Sequence, residues 1–166
     1  DKTECVRDNG TGLIWEGKPA SGDRAATNTY TNYDNPDFAQ KAIDLNDPFL
    51  GYVKPTVEEV NAATNSIGYR NAVNASRLCG FTDWRIPTVD ELSGIKDANQ
   101  AADPLIDSMW FPNTQSTTYW TSTVSTTGAN NYVHNNAARM VFFYTGYIWG
   151  NADERKSPRA VRLVRP

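Results

Sequence analysis

No stretch of this chain approaches the ~20 consecutive apolar residues that a membrane span requires. Histidine occurs once, at His134, and cysteine twice, at Cys5 and Cys79. Two distant thiols and one imidazole leave no CxxC redox pair and no complete zinc ligand set. An excess of positive charge is missing too: 16 Lys and Arg stand against 19 Asp and Glu, a net charge of −3. Bulk attraction to nucleic acid or to an anionic membrane is therefore not expected. EF-hand spacing and calcium-chelating lectin triplets are absent, although Asp34, Asn35, Asp37, Asp44, Asn46 and Asp47 supply the oxygens that calcium prefers. The expectation is no resident cofactor and no metal, with calcium as the one candidate ion.

What the chain does have is length and rings. Its 166 residues suit one domain, 1–166, able to bury roughly 70% of the unfolded surface. Five Trp and eight Tyr are enough for a core and leave rings to spare for a displayed patch. The two cysteines admit two readings. A disulfide would close a loop of about 75 residues, contribute on the order of 4 kcal/mol and imply an oxidising compartment; the alternative is two unrelated buried thiols. A chain that starts at Asp1 is expected to be a processed or trimmed product.

Asn9-Gly10 and Gly12 predict a turn over Asp8 to Gly12, followed by a strand from Leu13 to Glu16. Residues 17–56 carry Pro19, Pro36, Pro48 and Pro55 among Asn, Asp, Gly and Thr. They read as an elaborate surface loop, an insertion with one short helix near Phe38 to Leu45. Helical spacing of Tyr69, Ala72, Val73 and Ser76 predicts a helix over Val57 to Leu78, stopped by Gly80. A T-x-x-E capping box at Thr88 and Glu91 opens a second helix whose apolar face is Val89, Leu92 and Ile95. Beyond Trp110 the patterning favours strands at Thr118 to Val124, Arg139 to Tyr144 and Arg159 to Val164. The order predicts an α+β domain: two helices on a mostly antiparallel sheet, long loops, and both chain ends paired in one sheet.

Three blocks carry a resemblance: CVRDNGTGLIWE at the start, AVNASRLCGFTDWRIPTVDEL in the middle, and MVFFYTGYIWG with AVRLVR at the end. On these the chain resembles the Lcl C-terminal-like family of bacterial surface domains, named for a collagen-like adhesin. YWTST, Tyr119 to Thr123, fits the strand that such domains place between the last two blocks. The resemblance implies a C-type-lectin-like fold, export to the cell surface or medium, a role in attachment, and pairing of Cys5 with Cys79. It also implies kinship with the variable proteins of diversity-generating retroelements. In that pattern Phe143, Gly146, Lys156, Val161 and Arg162 stand at scaffold positions, and Tyr144, Thr145, Tyr147, Trp149, Asn151 and Asp153 at displayed ones.

Period-two alternation cannot bury Phe142, Phe143, Tyr144, Tyr147 and Trp149 on one face, so this stretch is either a two-sided core or a binding surface. The ligand-binding set is then Tyr144, Thr145, Tyr147, Trp149, Asn151, Asp153 and Arg155, joined by Tyr132 from the Asn-rich loop. The cations Arg155, Lys156, Arg159, Arg162 and Arg165 read as a solvated or salt-bridged face rather than a glycan grip. Asp83, Trp84, Arg85, Pro87, Thr88 and Glu91 read as architecture, an acid and a base holding a loop against the core. No catalytic set is assembled, since His134 has no sequence-near partner and Glu91 is engaged in the cap. The function expected is a secreted or surface-displayed, non-enzymatic module binding a glycan or protein ligand on a host or neighbouring cell. The alternatives are a retroelement variable receptor for protein ligands and a homo-oligomerising tip module of a surface fibre.

Overall fold

The computed structural model describes residues 4–44, 50–125, 136–144 and 152–166. Asp8 builds the first turn: its carboxylate accepts from the Gly10 amide and the Thr11 hydroxyl. Gly12 completes it at φ 80°, a left-handed conformation that suits glycine. The turn folds β1 (Cys5–Arg7) antiparallel onto β2 (Ile14–Glu16), with Val6 opposite Trp15. β8 (Val164–Arg165) pairs with the other side of β2, so both ends of the chain share one sheet of order β1-β2-β8. A second antiparallel sheet holds β5 (Thr118–Val124), β6 (Ala137–Phe142) and β7 (Ala152–Glu154), in that order.

The predicted helix near Phe38 is not formed. Lys41–Ala42 is instead a short strand, β3, paired with β4 (Tyr52–Val53). The long helix expected over 57–78 is broken into α1 (Val57–Val60) and α2 (Ser66–Ser76). Asn65 explains the break. Its amide nitrogen donates to the carbonyls of Tyr33 and Val60, and its oxygen accepts from Tyr33 N and the Thr31 hydroxyl. This buried side chain ties two segments of chain together where a continuous helix would have turned it outward. After α2 the chain passes through left-handed Arg77 and Cys79 to Gly80, and Cys79 is disulfide-bonded to Cys5. α3 (Val89–Gly94) begins at Thr88, where Thr88 and Glu91 satisfy each other's free backbone donors.

Two cores result. One gathers Tyr30, Tyr69, Val73, Trp84, Trp120, Met140, Phe142, Val161 and Leu163. The other gathers Val6, Trp15, Leu92, Ile106, Tyr119, Val141, Phe143, Ala160 and Val164. Neighbours Phe142 and Phe143 therefore bury on opposite sides, as a two-sided core requires. Residues 17–56 do not lie wholly on the surface: Ala25, Ala26, Tyr30, Tyr33 and Ala42 are buried hydrophobics within them. Most of Arg159–Val164 is not a strand of one sheet but a seam. Arg159 bridges to Tyr30, Ala160 to Tyr119, and Val164 to Arg85. The whole is an α+β domain with mixed helix and antiparallel sheet.

Candidate functional site

The Asp83–Arg85 triplet sends its charges in opposite directions. Asp83 receives Arg165 at 2.6 and 3.0 Å, and Arg85 forks onto Glu91 at 2.8 and 2.6 Å. That fork holds the Glu91 carboxyl down at about 2. Trp84 between them is buried, donating its indole N–H to the Leu78 carbonyl, while its backbone is clamped by the Asn74 amide. Pro87 offers its carbonyl to Ser122 of β5. These five residues, with Thr88 at the start of α3, brace the chain between α2, α3 and β5.

Of the predicted ligand-binding residues, Tyr132, Thr145, Tyr147, Trp149 and Asn151 lie outside the described residues, as does His134. Tyr144 is half-buried and packs edge-on against Phe142, with ring centres 5.3 Å apart. Asp153 takes the Arg159 guanidinium at 2.6 Å. Arg155, expected to meet a ligand at the surface, is only 1% exposed. Its guanidinium donates to the Asn32 carbonyl at 2.7 Å and pairs with Asp34 at 2.9 Å. The remaining cations of the basic tail are engaged as well: Lys156 on Glu154, Arg165 on Asp83, and Arg162 inside the core. Among the described residues, no group of three or more His, Cys, Asp or Glu is placed to hold a metal ion.

Arg162 belongs to a polar knot that the sequence reading missed. It donates to the Glu16 carbonyl and the Thr114 hydroxyl, and its guanidinium lies 5.0 Å from the Phe111 ring centre. The fully buried Glu16 carboxylate accepts from the Tyr69 hydroxyl and from Leu163 N, with Lys18 Nζ 3.5 Å away. Lys18 Nζ also donates to Tyr69 Oη at 2.8 Å. Burial pulls the Lys18 ammonium down to about 8; the Glu16 charge opposes that shift and the Arg162 charge adds to it. Burial raises the Tyr69 phenol. This knot ties β2 to α2 and to the C-terminal seam, and it faces the core.

An open cleft of about 570 Å³ lies on the other side of Arg155. Asp34, Asn35, Phe38 and Gln40 form one wall, Ile67 and Arg70 of α2 another, and Arg85, Ile86, Thr88, Ser122 and Val124 the rest. Gln40 shapes the first wall: its oxygen accepts from Asp34 N and Asn35 N, and its nitrogen donates to Asp34 Oδ1 at 2.6 Å. The Asn35 side chain accepts from Asp37 N. Phe38 is thereby held at the rim with 45% of its surface exposed. Arg70 bonds only its helix neighbour Asn71 among the described residues, so its guanidinium retains donors for a ligand. The arrangement can stack a ring or apolar face on Phe38 and offer fixed donors and acceptors beside it. Phe38, Gln40 and Arg70 carried no sequence signal; an aromatic amid Pro, Asn and Asp was the nearest to one.

No curated protein and no solved structure matches this chain. The model of the Lcl C-terminal domain family matches residues 4–165, nearly the whole chain. The chain belongs to the Lcl C-terminal domain family.

Proposed function

We propose that this chain is a non-enzymatic recognition domain with a C-type-lectin-like fold, displayed at the bacterial surface or secreted, which holds a glycan in the Phe38 cleft. The observation that carries the reading is the half-exposed Phe38 ring, on a wall already fixed by Gln40 and Asp34, in a cleft that Arg70 also lines. Pre-set walls lose little freedom on binding, and an aromatic ring stacks on a sugar face while Arg forks onto its oxygens. The termini paired in one sheet, the disulfide and the second sheet beyond it support the lectin-like reading. Membership of the Lcl C-terminal domain family supports surface display, and a disulfide suits an oxidising compartment. Recognition without catalysis, nucleic acid or membrane insertion is consistent with a net charge of −3 and with acids already committed to Arg, Lys or caps.

The test is a glycan array that includes sulfated polymers, run with calcium and with chelator. It compares wild type with Phe38→Ala/Arg70→Ala and with Tyr144→Ala/Tyr147→Ala/Trp149→Ala, each variant first shown to melt like wild type. Loss of binding in the first variant, unaffected by chelator, is the expected result. Loss only in the second would move the site to the C-terminal stretch. No binding to any glycan would sink the lectin reading and favour a protein partner.

A further inference from the structure

β1 is the outer strand of its sheet, and its far edge pairs with no strand among the described residues. Register decides which backbone groups face out. The Glu4 carbonyl accepts from Gly17 N and Asp8 N donates to the Leu13 carbonyl. In antiparallel alternation, Cys5 and Arg7 therefore turn their N–H and C=O groups away from β2. Along that edge runs a groove of about 560 Å³, separate from the Phe38 cleft. Cys5 to Asn9 line one side, and Gly94, Ile95, Trp110 and Phe111 the other. Trp110 is 56% exposed there and its neighbour Met109 88%.

We infer that this edge takes an extended peptide segment of a partner protein as a fourth strand, with an apolar residue flanked by acidic ones. Free backbone groups give such a strand its hydrogen bonds, and the pleat dictates its side chains. Val6 lies on the face of the sheet that packs with Phe111 and Ile95, so a partner residue on that face meets those side chains and Trp110. The residues before and after it point to the opposite face, where Arg7 is exposed and enters no ion pair among the described residues. A carboxylate there takes the Arg7 guanidinium in a fork. A second copy of this chain fits less well, because it brings another Arg7 to the same edge.

The probe is a capped heptapeptide, Ser-Glu-Ile-Glu-Ile-Glu-Ser, titrated into isotope-labelled disulfide-bonded chain and followed by amide resonances and hydrogen exchange. Amides of Cys5 and Arg7 should shift and exchange on the order of tenfold more slowly when the peptide is bound, as new strand hydrogen bonds demand. Methylating the central peptide nitrogen, or replacing Glu by Lys, should each weaken binding about tenfold. Arg7→Glu should reverse the preference in favour of the Lys peptide. Three results overturn the inference: no shift at Cys5 and Arg7 with millimolar peptide, binding indifferent to methylation, or a dimer that protects these amides without peptide. The methylated peptide needs no variant, so the test stands even if Arg7→Glu impairs folding.

Discussion

Replacing Glu16 by Gln removes one negative charge from the knot of Glu16, Lys18, Tyr69 and Arg162 while keeping its shape. Two cations then remain buried with no anion between them, Lys18 at 2% exposure and Arg162 at 0%. Removing one partner of a buried pair costs ~3–5 kcal/mol. Lys18 has an escape that Arg162 lacks, because it can release its proton. In the wild type its folded-state value is about 8, against ~10.4 in the unfolded chain. The folded state thus holds fewer protons than the unfolded one above pH 8, and stability from this group rises with pH from there. Without the Glu16 charge the folded value drops further, so in the variant that rise starts at lower pH. The stability gap between wild type and Glu16→Gln should therefore be widest near pH 6.5 and shrink by up to about 1.4 kcal/mol per pH unit toward 8. Urea unfolding followed by tryptophan fluorescence at four pH values between 6.5 and 9 measures the gap. A gap that stays constant across that range would refute the reasoning, since Lys18 would then not be titrating within the knot.

Two further outcomes follow from covalent and steric features. Replacing Cys5 and Cys79 together by Ser opens a loop of sequence separation 74, and should lower the unfolding free energy by about 4 kcal/mol; equal urea midpoints for the two proteins would contradict it. Gly68→Ala should destabilise even though Ala is the better helix former, because its Cβ would stand 2.1 Å from the Ala62 carbonyl oxygen and 2.5 Å from that of Asn61. A melting temperature that rises in Gly68→Ala would show that the turn before α2 yields at little cost.

Features set by neighbours along the chain were legible in the sequence. The Asp8–Gly12 turn, the Thr88/Glu91 box and the β5 strand each follow from local chemistry, and each stands where the residues place it. The joining of the two ends in one sheet was also readable, from the order of the elements, a strand first and strands last. What escaped was whatever one side chain does at a distance. Asn65 splits a helix because Thr31 and Tyr33 come to it from 34 and 32 residues away. Gln40 folds its segment back and leaves Phe38 at a rim where helix was expected. Arg155 follows Asn151 and Asp153 in the stretch that reads as ligand-binding; Asp34, 121 residues earlier, draws it inside. Glu16 ends the predicted first strand and Lys18 follows two residues later, and only the fold reveals that both are enclosed.

The seam from Arg159 to Val164 makes the two cores one cooperative unit. Val161 and Leu163 complete the first core, Ala160 and Val164 the second, and Arg162 anchors Glu16 beneath both. Cleavage before Arg159 would strip both at once, so no half of the domain survives as a folded fragment. Loss of any part of the seam should register as global unfolding rather than as a frayed end. The proposed recognition surface, carried on such a body, would be presented whole or not at all, which would leave a damaged copy open to proteolysis instead of displaying a distorted site.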